Sequence, residues 1–132
     1  MKRLILFSTL LVFVDQVTKY LMQGKTYFEN NFVALIYTTN TGAAFGILKG
    51  WNLFFIIVTI AVIAGIFYYH KIYNTFGLTL LLAGSVGNLI DRIFLGHVRD
   101  FIYVKYFSTF NLADAYNVIG VMLILLYMKK LK

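Results

Sequence analysis

The chain contains no cysteine and no proline. The first absence excludes disulfides, thiolate metal sites and a cysteine nucleophile. The second means that any break in a helix must come from glycine or polar side chains. Charge is scarce too: 13% of the 132 residues are charged and 61% are hydrophobic, where soluble domains carry about 25% charged residues. So few charges cannot cover a soluble fold of this size. The composition points to an integral membrane protein and away from a soluble globular enzyme, a disordered regulator or a nucleic-acid binder. Scarcest of all are the acids, five in number: Asp15, Glu29, Asp91, Asp100 and Asp114. Twelve basic residues leave a formal charge of +7, which in a membrane protein reflects topology and contact with anionic lipid. All four Asp lie in or beside apolar segments. Charge is expensive there, so each is a candidate functional residue.

Four apolar stretches, 4–21, 51–69, 76–93 and 110–127, are long enough to cross a bilayer. At 1.5 Å per residue each helix covers about 27–28 Å of a hydrocarbon core roughly 30 Å thick. No room remains for a soluble domain, so residues 1–132 read as one integral membrane domain. The long loops 22–50 and 94–109 fall on one side, and a short helical hairpin connection between spans two and three on the other. An even number of spans puts both termini together. Six Lys/Arg fall on each side, so the bare count is neutral. However, Lys19 and Arg92 lie inside spans, and the two terminal flanks are purely basic. That places the termini in the cytoplasm and all five acids towards the outer face. The start, Met1-Lys2-Arg3 and an apolar run, resembles a signal peptide. Asp15 interrupts the run and no small-x-small site follows, so it reads as an uncleaved span. The run Phe32-Val33-Ala34-Leu35-Ile36-Tyr37-Thr38-Thr39, followed by a Gly-punctuated turn, reads as a strand or hairpin on the membrane surface. In 94–109, Tyr103, Tyr106 and Phe107 suit an interfacial aromatic belt.

Three spans carry polar residues at helical spacing. Asp15, Thr18 and Lys19 stand at i, i+3, i+4, as do Asn88, Asp91 and Arg92, and Asn111, Asp114 and Asn117 step by three. Residues so spaced share a helix face. The second span has no acid and no Lys or Arg, which suits packing. Ser85, in Ala-Gly-Ser-Val-Gly, follows no strand and has no suitably placed His, so it reads as a small residue between helices. His70 and His97 fall on opposite sides as interfacial polar residues, and no metal or cofactor is expected. Carboxylates remain. Two Asp in a poorly solvated site share one proton near neutral pH, and such a pair can deprotonate water and protonate a leaving amine. Asp91 beside Arg92, and Asp15 with Lys19, read as structural ion pairs. Asp100 and Asp114 have no opposite charge at i±3 or i±4. Spacing alone leaves the catalytic and structural readings of that pair open.

Five segments in order resemble the lipoprotein signal peptidase (signal peptidase II) family. They are Asp15-Gln16-Val17-Thr18-Lys19, Asn40-Thr41-Gly42-Ala43-Ala44-Phe45-Gly46, Gly87-Asn88-Leu89-Ile90-Asp91-Arg92, Gly96-His97-Val98-Arg99-Asp100-Phe101 and Phe110-Asn111-Leu112-Ala113-Asp114. The resemblance implies a four-transmembrane-helix bundle with a small extracytoplasmic β-cradle, a loop and a short outer helix. It implies a membrane aspartyl endopeptidase, sensitive to globomycin, of the bacterial cytoplasmic membrane. Its substrate would be a prolipoprotein bearing a diacylglyceryl-Cys, cut just before that Cys. Asp100 and Asp114 would be catalytic. Asn40, Gly42, Asn88, Arg92, Asn111 and Ala113 would support substrate and dyad, and Asp15, Lys19 and Asp91 would be structural. The Gly-rich 40–46 segment could let backbone amides approach the substrate. One chain carries every required group, which suits a monomer in contact with lipid and without nucleic acid. The chain is short for the family, has Ala115 where many members have Ser, and has Arg99 where an apolar residue is common. A charge at Arg99 would lower the pKa of Asp100. Two other classes compete: a small proton-coupled transporter, whose ionisable groups should run through the membrane depth, and a structural subunit with Asn and Asp as interhelical glue.

Overall fold

The computed structural model describes residues 1–43, 47–72 and 76–130. Four helices, α1 (Lys2–Met22), α2 (Asn52–Tyr69), α3 (Phe76–Leu95) and α4 (Leu112–Lys130), occupy the expected spans to within three residues at each end. Each is long and apolar enough to cross a membrane. Large apolar side chains stand outward along them, among them Leu6, Phe13, Leu53 and Phe94. An apolar exterior is the surface that lipid requires. Residues 73–75 of the expected hairpin connection, and Ala44, Phe45 and Gly46 of the loop motif, lie outside the described residues.

Helix α3 is the centre of the bundle and packs against α1, α2 and α4. Leu4, Ile66, Leu78 and Leu82 form the apolar core. Small residues let α3 and α4 approach closely. A Cβ on Gly77 would lie 2.8 Å from the Gly120 carbonyl oxygen, and one on Gly84 would strike the Ala113 carbonyl. Without a hydrophobic drive between helices in lipid, close approach of this kind is what holds them. Ser85 is buried within α3, in keeping with a packing residue. His70 is buried at the C-cap of α2.

Three antiparallel strands, β1 (Thr26–Glu29), β2 (Val33–Asn40) and β3 (Val98–Val104), form a sheet in the order β1-β2-β3. The β1–β2 hairpin follows from the β-branched and aromatic run. Strand β3 was not expected from that pattern, because Val98, Arg99, Asp100 and Phe101 are all buried. A strand covered on both faces, with a charge on each, shows no apolar–polar alternation. The register between Leu35 and Thr38 is irregular just where Thr38 pairs with Asp100. An irregularity of this kind re-aims side chains beside it. Among the described residues of the 41–50 segment there are turns and no helix.

Candidate active site

Helix α4 starts at a reciprocal cap. Asn111 lies just before it, and its Oδ1 accepts the Asp114 N–H at 2.9 Å. The Asp114 carboxylate accepts the Asn111 N–H at 3.1 Å. Two helix-end donors are satisfied at once, and Asp114 is fixed in the first turn, where a negative charge is favoured. The same junction is tied to β3: Phe110 N–H donates to Ile102 O at 3.0 Å, and Ile102 N–H donates to Phe110 O at 2.9 Å. Asp100 is two residues before Ile102 on that strand. The backbone therefore brings the two carboxylates to one place.

Three Asn side chains aim their amide NH2 groups at these carboxylates. Asn111 Nδ2 donates to Asp100 Oδ1 at 2.8 Å, Asn40 Nδ2 to Asp100 Oδ2 at 3.2 Å, and Asn88 Nδ2 to Asp114 Oδ1 at 2.8 Å. Each orientation is dictated from behind. The Asn111 carbonyl is taken by the Asp114 N–H, the Asn40 carbonyl by the Gly42 N–H at 2.9 Å, and the Asn88 carbonyl by the Lys19 ammonium at 3.0 Å. These partners can only donate, so each amide turns its NH2 towards an acid.

Asp100 and Asp114 line one cavity of about 470 Å³ with Asn40, Gly42, Asn88 and Arg92, walled by Phe107, Phe110, Val118 and Ile119. Asp100 is 2% exposed. Burial, and then the neighbouring Asp114 charge, push its carboxyl up to about 7, against the pull of the Asn40 and Asn111 hydrogen bonds and of Lys19. A pair in that condition keeps one proton at neutral pH and can hold water between a base and an acid. Among the described residues no cluster of three or more His, Asp or Glu gathers to hold a metal ion.

The far face of β3 carries a charge network. Lys19 Nζ lies 2.8 Å from Asp15 and 3.5 Å from Asp91, and Arg99 Nη2 lies 2.7 Å from Asp91. Arg99 also donates to Gln16 Oε1 at 2.7 Å. Asp15 accepts the N–H of buried Ala113 at 2.9 Å, so α1 secures the start of α4. Two expectations are corrected here. The partner of Asp91 is Arg99 and Lys19, not Arg92, because helix neighbours point about 100° apart. Arg92 instead donates to Gly42 O at 3.0 Å and stacks on Phe55, 4.7 Å from the ring centroid. Arg99 reaches Asp91 and Gln16 rather than Asp100, because successive strand side chains face opposite ways. A Cβ at Gly42 would strike the Ile47 carbonyl, so the turn there requires glycine. Among the described residues Thr18 bonds its own helix, at Val14 and Asp15. Gln16 was missed, although it adjoins Asp15. Its amide bridges Gly87 O at 3.0 Å and Asp91 at 3.2 Å, and a polar residue in an apolar span was its signal.

The family profile described as signal peptidase (SPase) II matches residues 7–130. A lipoprotein signal peptidase of Caldanaerobacter subterraneus subsp. tengcongensis is 40% identical over 126 residues, 86% of this chain and 86% of that one. One from Streptococcus pneumoniae is 40% identical over 135 residues, 92% of this chain and 88% of that one. A bacterial membrane enzyme solved by the in meso method at 2.3 Å superposes with a TM-score of 0.88 and 34% identity, over 98% of this chain and 89% of the other.

Proposed function

Because this chain belongs to the signal peptidase II family and so removes signal peptides from prolipoproteins, we propose that it does so as an aspartic endopeptidase with Asp100 and Asp114 as its catalytic pair. The observation that carries this reading is the shared cavity in which both carboxyls are held by the single side chain and backbone of Asn111. Water between the two carboxyls loses a proton to the ionised one and attacks the scissile carbonyl. The protonated carboxyl polarises that carbonyl. The proton gained then goes to the leaving amine, and the pair is restored. The roles belong to the pair rather than to either residue. No metal, cofactor or covalent intermediate is needed.

Arg92 and the amides of Asn40, Asn88 and Asn111 hold the substrate and the dyad, and Asp15, Lys19 and Asp91 hold the helices. The substrate is the diacylglyceryl-modified prolipoprotein, cut before the lipidated Cys. It arrives sideways from lipid, past Val118 and Ile119, which line the cavity and stand outward from α4. Residues 1–132 work as one domain and one monomer in the bacterial cytoplasmic membrane. Both termini are cytoplasmic, the site lies near the outer face, and the positive charge meets anionic lipid rather than nucleic acid. A proton relay fits less well, since all four Asp gather at one end of the bundle. A purely structural subunit leaves the cavity without a purpose.

Purified protein incubated with a diacylglyceryl prolipoprotein is expected to release a signal peptide whose C-terminus, by mass spectrometry, immediately precedes the modified Cys. The unmodified precursor should stay intact. Failure to cut the modified substrate would overturn the reading.

A further inference from the structure

A second groove, of about 310 Å³, opens on the other side of Asp100. Its walls are Thr38, Thr39 and Thr41 at the end of β2, Lys49, and Ser108 and Thr109 ahead of α4. It meets the first cavity at Asn40, Asp100, Ser108 and Thr109, so Asp100 stands at the junction of the two. The two sides differ in chemistry. One is walled by Phe107, Phe110, Val118 and Ile119 and lies beside the lipid-facing surface of α4. The other is lined by hydroxyls and an ammonium, with Thr39, Thr41 and Lys49 exposed.

A prolipoprotein is divided in the same way about its scissile bond. The signal peptide and the acyl chains are apolar, and the polypeptide that follows the modified Cys is polar and bound for water. We propose that the polar groove is the subsite for that mature polypeptide, with Lys49 selecting an acidic side chain among its first residues. The proposal rests on the cleavage reading above. Threonine hydroxyls both donate and accept, so they can satisfy the N–H and C=O groups of an extended chain of any sequence. Lys49 adds the selective element. Among the described residues it makes no ion pair, and the one acid of the groove, Asp100, lies at its inner end.

The test compares kcat/KM for diacylglyceryl prolipopeptides carrying Glu or Lys at the first, second or third position after the Cys, at low ionic strength. The wild type is expected to favour Glu at one of these positions by about two- to five-fold, the range open to an exposed charge pair. Lys49→Glu should reverse the preference while still cutting a peptide with Gln there. Lys105→Glu is the control: the Lys105 ammonium lies over the Phe32 and Tyr106 rings, 5.2 and 5.1 Å from their centroids, and not in the groove. It should leave the preference intact. No preference at any position, a preference unchanged in Lys49→Glu, or an equal reversal in Lys105→Glu would overturn the proposal. Absence of cleavage of every peptide by the wild type would instead refute the cleavage reading on which it stands.

Discussion

Asp100→Asn and Asp114→Asn are each expected to lower kcat by about a hundred- to ten-thousand-fold, the contribution of a positioned acid or base, while the chain stays folded. Asparagine keeps the shape of the side chain but can neither take a proton from water nor return one. Each carboxylate accepts two hydrogen bonds, Asp100 from Asn40 and Asn111, Asp114 from Asn88 and the Asn111 backbone. The new amide has one oxygen, so one bond in each site is lost, at about 1 kcal/mol. Relief of the repulsion between the two carboxyls offsets part of that cost. KM should therefore change little. Cleavage kinetics together with thermal unfolding in detergent check both halves of the expectation, and full activity in either variant would remove that residue from the dyad.

Lys19→Met is expected to destabilise the protein by about 3–5 kcal/mol, the usual result of breaking a buried ion pair from one side. Lys19 is fully buried, as are Asp15 and Asp91. Its ammonium reaches Asp15 at 2.8 Å, Asp91 at 3.5 Å and Asn88 Oδ1 at 3.0 Å. Without it, two buried carboxylates face Arg99 as the one remaining cation of the network. The Asn88 carbonyl also loses one of the two donors that turn its NH2 towards Asp114, the other being Asn111 Nδ2 at 3.1 Å, so residual activity should fall as well. Adding Asp15→Asn should recover part of the stability by removing the uncompensated charge. The measurement is the unfolding midpoint of the single and double variants. A shift in the single variant equivalent to less than about 1 kcal/mol, the worth of a surface pair, would show that the network is not what joins α1 to α3.

The elements readable in advance were those set by local spacing. Four apolar runs became α1 to α4, and Asp15 with Lys19 at i, i+4 became an ion pair. Adjacent residues were misread, because adjacency in a chain is not adjacency in space. Arg92 points away from Asp91 on its helix, and Arg99 away from Asp100 on its strand. Strand β3 was hidden by burial on both faces. The contacts that define the site join distant positions, 26 residues apart for Asn88 and Asp114 and 60 for Asn40 and Asp100. No periodicity records them. Family resemblance supplied those residues as a set, and the fold supplied the reason each is an asparagine: a carbonyl held from behind and an NH2 offered to an acid.

The central claim is that two carboxyls cleave the peptide while holding one proton between them. The most direct measurement is the pH dependence of kcat/KM on a prolipopeptide with no group of its own titrating between pH 5 and 9. Burial and the Asp114 charge push the Asp100 carboxyl up to about 7, so the proton is present below that pH and lost above it. The expected profile falls as pH rises through about 7. A rate that instead climbs through 7 to an alkaline plateau, as a hydroxyl or amine nucleophile would give, would contradict the account.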